Sequence, residues 1–247
     1  MYWRDKHKGI IMRSFILMAM FLASFIASAA SDYTETRNLT VDTDGLELFF
    51  INAGAGRIDV EGVDGIDRIE VKATIVIPDT DEDDALKMIE KKLELGLERK
   101  DGQAVLKSRF EDGFWGFGSD GRIDLEIRAP ATLATSIDDG SGSIEVRNFV
   151  ADVLIDDGSG SIDVRTVGAL DIDDGSGSID VMDVAGDVFI DDGSGGITVE
   201  KVGGSVTIDD GSGSIHVRDV ARDLTILDAG SGSVSFSDIR GTVEQDE

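Results

Sequence analysis

One motif, Ile-Asp-Asp-Gly-Ser-Gly-Ser-Ile, recurs with small changes throughout the C-terminal half of the chain. It divides this half into six consecutive segments of 17 to 19 residues, here called coils: 136–153, 154–170, 171–188, 189–206, 207–224 and 225–243. A unit of this size cannot bury its own apolar face, whereas stacked units share one continuous core. The repeat therefore predicts a stacked architecture for residues 136–243, followed by a polar tail at 244–247.

Apolar residues occupy five equivalent positions in the coils and alternate with polar ones, as in Ile162-Asp163-Val164. Alternation with a period of two residues is typical of strands that bury one face. Each coil then contains two strands, joined by the Asp-Asp-Gly-Ser-Gly turn and by a Val-x-Gly-x corner. A meander of hairpins is the alternative, but apolar positions that stay in register favour parallel stacking. We predict an all-β fold, a parallel β-solenoid with coils of ~18 residues.

The predicted N-terminal region, residues 30–135, is also rich in β-strand patterns. Its segment 49–66 has isoleucine, glycine and valine at the same spacing as the first C-terminal coil. We therefore expect 49–66 to form an early coil of the same stack.

An insertion at 67–135 separates this early coil from the repeats. Thr80 and Asp83 are typical of a helix capping box, and Asp101-Gly102 is typical of a hairpin turn. We expect a small α+β cap over the first coils, because a bare solenoid end exposes sheet edges that promote aggregation.

Residues 1–29 have the three parts of an export signal. A basic segment precedes the apolar run Phe15–Ile26, and Ala27-Ser28-Ala29 is typical of a cleavage site. A membrane anchor or core helix is the alternative, although the run is shorter than the ~20 residues that span a bilayer. We predict cleavage after Ala29 and a protein exported to the periplasm, the cell envelope or the medium, without a membrane span.

The charge balance limits the choice of partner. The chain has 50 acidic and 23 basic side chains, and its net charge is −27. Nucleic acids and anionic membrane surfaces repel a polyanion, so neither is an expected partner. The absence of cysteine excludes disulfides, thiolate metal sites and cysteine nucleophiles. We expect the partner to be a protein or glycan of a cell surface or cell envelope.

The sequence predicts no catalytic residue and no cofactor-binding motif. Beyond the export signal, the single histidine is His216, at a position that other coils fill with Glu145, Asp163, Asp180 or Thr198. An interchangeable outward position suits neither a Ser-His-Asp triad nor a zinc ligand. Carboxylates are abundant, but an acid–base pair needs two unlike environments and the repeats make them alike. We predict that the chain is not an enzyme. A carboxylate-dependent polysaccharide-active enzyme is the alternative.

Several of these motifs together resemble a known family. An export signal, the early coil, Ile-Arg-Ala-Pro-Ala at 127–131 and tandem Gly-Ser-Gly-Ser-Ile-x-Val coils are similar to a bacterial β-strand-repeat family of candidate adhesins with unknown function. The resemblance implies a β-helix-like fold in the cell envelope or outside the cell, and it brings no catalytic residues. We expect an adhesin-like or structural binding scaffold that presents an acidic face. A calcium-binding repeat module is a further alternative.

The insertion contains one segment that is rich in aromatic residues. Phe114, Trp115 and Phe117 lie close together between glycines. Large apolar groups on a polar surface usually bind something, so these three residues are the predicted partner contacts. The alternative is a loop whose rings fold over the end of the solenoid.

Parallel stacking aligns the aspartate pairs of successive coils into two columns, at a strand spacing of ~4.8 Å. The first residues of the pairs are predicted to point outward: Asp138, Asp156, Asp173, Asp191 and Asp209. The second residues are predicted to lie on the corner: Asp139, Asp157, Asp174, Asp192 and Asp210. Capping of the turn's own backbone N–H groups is an alternative explanation of the second column.

These aligned carboxylates predict calcium binding. Unit charges ~4.8 Å apart repel by roughly 1 kcal/mol in bulk water and by a few kcal/mol at an effective dielectric of 20. A hard divalent cation between adjacent coils relieves this repulsion, and oxygen ligands suit calcium. We predict weak calcium binding at several sites along the columns, in the ~0.1–1 mM range of extracellular modules.

Calcium binding has a thermal signature. We expect millimolar calcium to raise the midpoint of thermal unfolding by more than sodium chloride of equal ionic strength. Calorimetric scans in the two salts provide the measurement. Equal stabilisation by both salts would mean that the columns are only screened.

Overall fold

The computed structural model describes residues 32–111 and 121–245, which form a flattened β-solenoid with a small helix near its N-terminal end. The N-terminal elements are β1 (Tyr33–Asp42), β2 (Leu48–Ala53), β3 (Ala55–Val63), β4 (Arg68–Ile77), α1 (Glu82–Lys92), β5 (Leu93–Lys100), β6 (Gln103–Phe110) and β7 (Arg122–Pro130). The repeat strands are β8 (Ala134–Asp139), β9 (Ser141–Arg147), β10 (Val153–Asp157), β11 (Gly160–Val167), β12 (Leu170–Asp174), β13 (Gly177–Val184), β14 (Val188–Asp192), β15 (Gly195–Val202), β16 (Val206–Asp210), β17 (Gly213–Val220), β18 (Leu224–Asp228), β19 (Ser233–Ile239) and β20 (Val243–Gln245).

The strands form two ten-stranded sheets, because each coil contributes one strand to each sheet. Sheet A has the order β1-β4-β7-β3-β9-β11-β13-β15-β17-β19. Sheet B has the order β20-β18-β16-β14-β12-β10-β8-β2-β6-β5. Strand pairing within the repeats is parallel throughout, which confirms the predicted solenoid and excludes the hairpin meander.

The core is built from identical residue types stacked on each other. Ile155 lies opposite Ile172, and Ile162 lies opposite Ile179. The isoleucines of these two columns are almost fully buried, as the alternation predicts. Burial of β-branched side chains between the two sheets supplies the main favourable free energy of such a fold.

The glycines of the turn are required by the close approach of successive coils. At Gly177, φ is +154°, and an added Cβ would lie 1.5 Å from the carbonyl oxygen of Gly160. At Gly158, an added Cβ would lie 2.6 Å from the carbonyl oxygen of Gly140. The repeated Gly-Ser-Gly therefore reflects contact between backbones, in addition to turn geometry.

The early coil joins the repeats as predicted. β2 pairs with β8 and places Ile51 opposite Ile137, while β3 pairs with β9 and places Ile58 opposite Ile144. The insertion adds a further coil outside it, since β6 pairs in parallel with β2, and β7 with β3.

Antiparallel strands and the helix complete the predicted cap. β4 and β1 extend sheet A, and β5 extends sheet B through the hairpin at Asp101-Gly102. The helix α1 buries Ala85 and Ile89 against the core.

The predicted capping box is wrong by one residue. The N-cap is Asp81, whose carboxylate accepts a hydrogen bond from the Asp84 N–H at 3.0 Å. The Thr80 hydroxyl donates instead to the Pro78 carbonyl oxygen, at 2.9 Å. Asp81 is the N-cap in place of Thr80, because aspartate is at least as good an N-cap as threonine and adds a negative charge at the positive end of the helix.

The sixth coil buries its apolar residues less well than the others. Phe236 is 45% exposed and Val243 is 39% exposed, although both occupy core positions of the repeat. In the described part of the chain, no strand pairs with the outer edge of β19 or β20. Core burial therefore depends on a coil on both sides.

A substitution at a turn glycine tests the stacking directly. We expect Gly177→Ala to destabilise the fold by more than about 1 kcal/mol, because the methyl group meets the neighbouring backbone at an unsuitable φ. The matched control is Gly196→Ser, where an added Cβ meets no atom within 4 Å and the adjacent coils have Ser178 and Ser214. Its unfolding free energy is expected to stay within about 0.5 kcal/mol of the wild type in urea titrations. Equal effects of the two substitutions would contradict the model of backbone contact.

Candidate functional site: the aspartate columns

The two aspartates of each turn point to opposite sides of sheet B. In β12, Leu170, Ile172 and Asp174 are buried, whereas Asp171 and Asp173 are exposed. The alternation of the strand thus continues through the aspartate pair. The outward direction of the first aspartate agrees with the sequence prediction.

Both columns align from coil to coil. Asp156 lies opposite Asp138 and Asp173, and Asp157 lies opposite Asp139 and Asp174. The same register continues through β14 and β16. Each carboxylate therefore has like carboxylates as its nearest neighbours along the stack.

The outward column has no partner cation within the described residues. None of its five members forms an ion pair there. Partial burial raises the pKa of Asp191, and the neighbouring charges of Asp173 and Asp209 raise it further. The column is thus a line of mutually repelling charges.

The end of this column nearest the cap is hydrogen-bonded to the early coil, which in turn contacts the insertion. Asn52 donates from Nδ2 to Oδ2 of Asp138 at 2.8 Å, and Arg109 donates from Nη1 to Oδ1 of Asn52 at 3.3 Å. The predicted register of the early coil, with Ile51 opposite Ile137, places Asn52 opposite Asp138. The contact with Arg109 was missed, because it depends on β6 lying beside β2.

Two apolar side chains share the outer surface of sheet B with the outward column. Leu154 is 46% exposed and Phe189 is 39% exposed, and Asp171 lies between them in register. The strands β8, β10, β12, β14 and β16 contain no basic residue. We call the outer surface of these strands the acidic face. The apolar residues were detectable in the sequence, as leucine and phenylalanine at outward strand positions.

The outer surface of sheet A has a different charge pattern. Arg165 pairs with Asp163 at 2.8 Å, and Arg218 pairs with Glu200 at 2.6 Å. A groove of about 420 Å³ on this side is lined by residues that include Arg147, which pairs with Asp59 and Glu61. Acidic groups on this surface are therefore largely neutralised by basic neighbours.

The second aspartate of each turn lies inside the core, and the sequence-based placement on the corner was wrong in this respect. The five members are 0–4% exposed. The reason is the alternation itself: the second aspartate is two residues after a buried isoleucine and so points the same way.

The predicted capping of the turn is present in four coils. Backbone N–H groups of Ser159, Ser176, Ser194 and Ser212 donate to Oδ1 of the aspartate two residues earlier, at 2.9–3.2 Å. Within residues 32–111 and 121–245, the Oδ2 atoms of these aspartates have no hydrogen-bond partner, and at Asp139 neither carboxylate oxygen has one. Each inward aspartate therefore has at least one buried oxygen that nothing satisfies.

Burial raises the pKa of every inward aspartate. The pKa of Asp139 rises to about 7, and those of Asp157 and Asp192 rise to about 6. Desolvation is the main cause, and the charges of neighbouring aspartates add to it. The pKa values of Asp174 and Asp210 are also raised, mainly by desolvation. This pattern favours the neutral acid inside the core.

Calcium binding by the columns stays a prediction. Among residues 32–111 and 121–245, no three acidic or histidine side chains converge to hold a metal ion. A cation on the acidic face would therefore bridge two carboxylates and retain water as its other ligands.

The structure describes His216 but does not describe the predicted aromatic contacts. His216 is exposed and its Nδ1 contacts the Ser235 hydroxyl, and no described carboxylate hydrogen-bonds to it. Phe114, Trp115 and Phe117 lie outside the described residues.

The similarities of the chain to known proteins are similarities to solved structures. No family model and no curated protein matches the chain. A candidate adhesin from Bacteroides fragilis is 17% identical, with 89% of this chain and 100% of that chain covered and a TM-score of 0.41. A candidate cell adhesion protein from Clostridium sporogenes is 14% identical, with coverages of 87% and 100% and a TM-score of 0.36. A candidate adhesin from Parabacteroides distasonis is 14% identical, with coverages of 86% and 97% and a TM-score of 0.34.

These solved structures belong to the class that the sequence resemblance names. Within the described residues, no helix has the length and apolar character needed to cross a bilayer.

Neutralising one outward aspartate tests the repulsion along the acidic face. We expect Asp191→Asn to raise the thermal midpoint slightly, by no more than about 2 °C, because exposed charges interact weakly. The gain is expected at low salt and should disappear at about 1 M sodium chloride, where charges are screened within ~3 Å. Thermal unfolding of both proteins across a salt series provides the measurement. A gain that is independent of salt would contradict an electrostatic origin.

Proposed function

We propose that the chain is an exported, non-enzymatic solenoid scaffold of adhesin-like type, and that its acidic face binds a basic surface of an envelope component. The observation that carries this proposal is the contrast between the two outer surfaces. Sheet A pairs its charges internally, whereas the outward aspartates of sheet B have no basic neighbour in the described structure.

Binding of a basic partner is supported by electrostatics. Aligned like charges repel, so lysine or arginine side chains of a partner relieve a repulsion that is already present in the free protein. Such an interface forms quickly and weakens as salt increases. The parallel sheet offers these charges at a regular spacing of ~4.8 Å.

The exposed apolar residues add a second component to the proposed interface. Leu154 and Phe189 project from the acidic face on either side of Asp171. Apolar groups surrounded by polar ones are typical centres of protein interfaces. Their contribution is independent of salt, so binding should retain an apolar component when the charges are screened.

A catalytic role has less support from the geometry. The carboxylates that line the groove on sheet A are paired with basic side chains, as Glu70 is with Arg128 at 3.1 Å and Glu126 with Lys72 at 2.7 Å. The outward aspartates lie in equivalent surroundings on an open surface, where nothing distinguishes an acid from a base. A binding scaffold explains both features without requiring a cleft.

The test compares two variants of equal charge. In the acidic-face variant, asparagine replaces the outward column: Asp138, Asp156, Asp173, Asp191 and Asp209. In the matched control, amides replace five acids of sheet A and its corner: Glu145, Asp163, Asp180, Asp183 and Asp219. The probes are a surface coated with poly-L-lysine and an array of neutral and amino-sugar glycans, and binding is measured between 0.05 and 0.5 M sodium chloride (screening lengths of about 14 to 4 Å).

We expect the acidic-face variant to lose at least tenfold in affinity for poly-L-lysine, and the control to lose less than threefold. A double variant, Leu154→Ser and Phe189→Ser, is expected to reduce the binding that persists at high salt. Equal losses in the two charge variants would mean that net charge alone drives binding, and this result would overturn the proposal.

A further inference from the structure

The inward aspartates present a problem that the binding function does not explain. Five carboxyl groups lie in a column inside an apolar core, each 0–4% exposed. Apart from these five, the buried polar side chains in the described structure are Ser108 and Thr135. An isolated ionised carboxylate is very costly in such surroundings, and it normally becomes neutral or finds a partner.

No basic group is available to pair with the column. Along sheet B, Asp174 faces Asp157 on β10 and Asp192 on β14. From sheet A, the buried side chains of the adjacent strand β13 are Ile179, Val181 and Val184. The outward aspartates lie on the opposite face of the same strands, and they are also acidic.

The two ends of the column lack basic groups as well. At the cap end, β2 and β6 continue the column past Asp139 with Ala53 and Ser108, whose buried Oγ has no hydrogen-bond partner. At the other end, the charge of Asp228 acts on Asp210. Arg109 follows Ser108 on β6, but it is exposed and donates to Asn52 on the outer side of the sheet. Among the described residues, the charged groups that act on the inward aspartates are therefore acids.

Each inward aspartate uses its two oxygens differently. In four coils, Oδ1 accepts a backbone N–H of the turn, which fixes the carboxyl group in place. The second oxygen is buried without a partner. A proton on that oxygen removes the charge and creates an O–H donor beside the carboxyl group of the next coil, one strand spacing away.

We infer that the five inward aspartates form a proton-binding ladder, in which neutral carboxylic acids and carboxylates of successive coils share protons inside the core. The ligand of this internal site is the proton. Metal binding here would require several further oxygen ligands. The apolar side chains packed around the column do not supply them.

The ladder predicts that the fold becomes more stable as the pH falls from 8 towards 5. In the unfolded chain, these aspartates have ordinary pKa values near 3.9. In the folded protein burial raises them, to about 7 for Asp139 and to about 6 for Asp157 and Asp192. Folding therefore takes up protons in this range. Each proton taken up raises the folding equilibrium constant tenfold per unit fall in pH.

The sign follows from the linkage. The stabilisation is fully present below the unfolded pKa and is lost as the pH rises through the folded values. Most acidic side chains that pair with bases give the opposite trend, because acid protonates them and breaks the pair.

The experiment compares two sets of substitutions at adjacent positions. The ladder variant has asparagine at the inward positions Asp139, Asp157, Asp174, Asp192 and Asp210. The matched control has asparagine at the outward positions Asp138, Asp156, Asp173, Asp191 and Asp209. Both remove five carboxyl groups from the same strands. Asparagine retains the oxygen that caps the turn and supplies an N–H donor in place of the acid O–H.

The first readout is unfolding in urea between pH 5 and pH 8, at 0.15 M sodium chloride with a chelator. We expect the wild type to gain at least tenfold in its folding equilibrium constant per pH unit between pH 7 and pH 5.5. The outward control should retain most of this dependence, and the ladder variant should lose most of it. The ladder variant is also expected to be the more stable protein at pH 8.

The second readout is the infrared C=O band of neutral carboxylic acid at pH 5.5. It should be present in the wild type and in the outward control, and absent from the ladder variant. If the fivefold variant does not fold, Asp174→Asn alone should weaken the band without abolishing it, because four inward aspartates remain. Absence of the band from the wild type, or an unchanged pH dependence in the ladder variant, would overturn the proposal. Loss of stability in the ladder variant at pH 8 that depends on added calcium would overturn it in favour of a metal site.

Discussion

Parallel in-register stacking is the constraint on which the rest of the structure depends. Each side chain of a coil lies next to the equivalent side chain of the adjacent coils. The size, shape and charge of a repeated residue therefore determine how it interacts with its own copies. Repeated isoleucines stabilise the core, because identical branched side chains pack closely between the sheets. Glycine at the turn is needed, because the backbones of Gly160 and Gly177 approach too closely for a Cβ.

The same constraint makes a repeated acid costly. Two aspartates per turn create two lines of like charge, one in water and one in the core. The exposed line costs little, since water and salt screen it. The buried line has no such relief, and its members must be neutralised. The turn thus combines a surface suited to binding bases with an interior suited to holding protons.

Much of this could be predicted from the sequence, because the repeat carries the information several times over. The five apolar columns, the coil at 49–66 and the parallel direction all follow from spacing alone. The inward position of Asp174 also follows from spacing, yet the general expectation that charged residues lie outside placed it on the corner. The contact of Arg109 with Asn52 had no local signal, because it depends on which strand the insertion places beside β2.

The presence of aspartate rather than asparagine at the inward position indicates what the side chain does there. Asparagine would cap the turn equally well and would donate a hydrogen bond to the next coil without any charge, which is the simpler solution for a buried ladder. Aspartate occupies this position in all five coils that carry the pair, whereas the outward position three residues before it is leucine, aspartate, phenylalanine or threonine in β10 to β16. What aspartate offers and asparagine does not is a proton that can be bound and released. A turn that needed only shape would tolerate either residue, so the uniform use of the acid points to the titratable proton as the property that matters there.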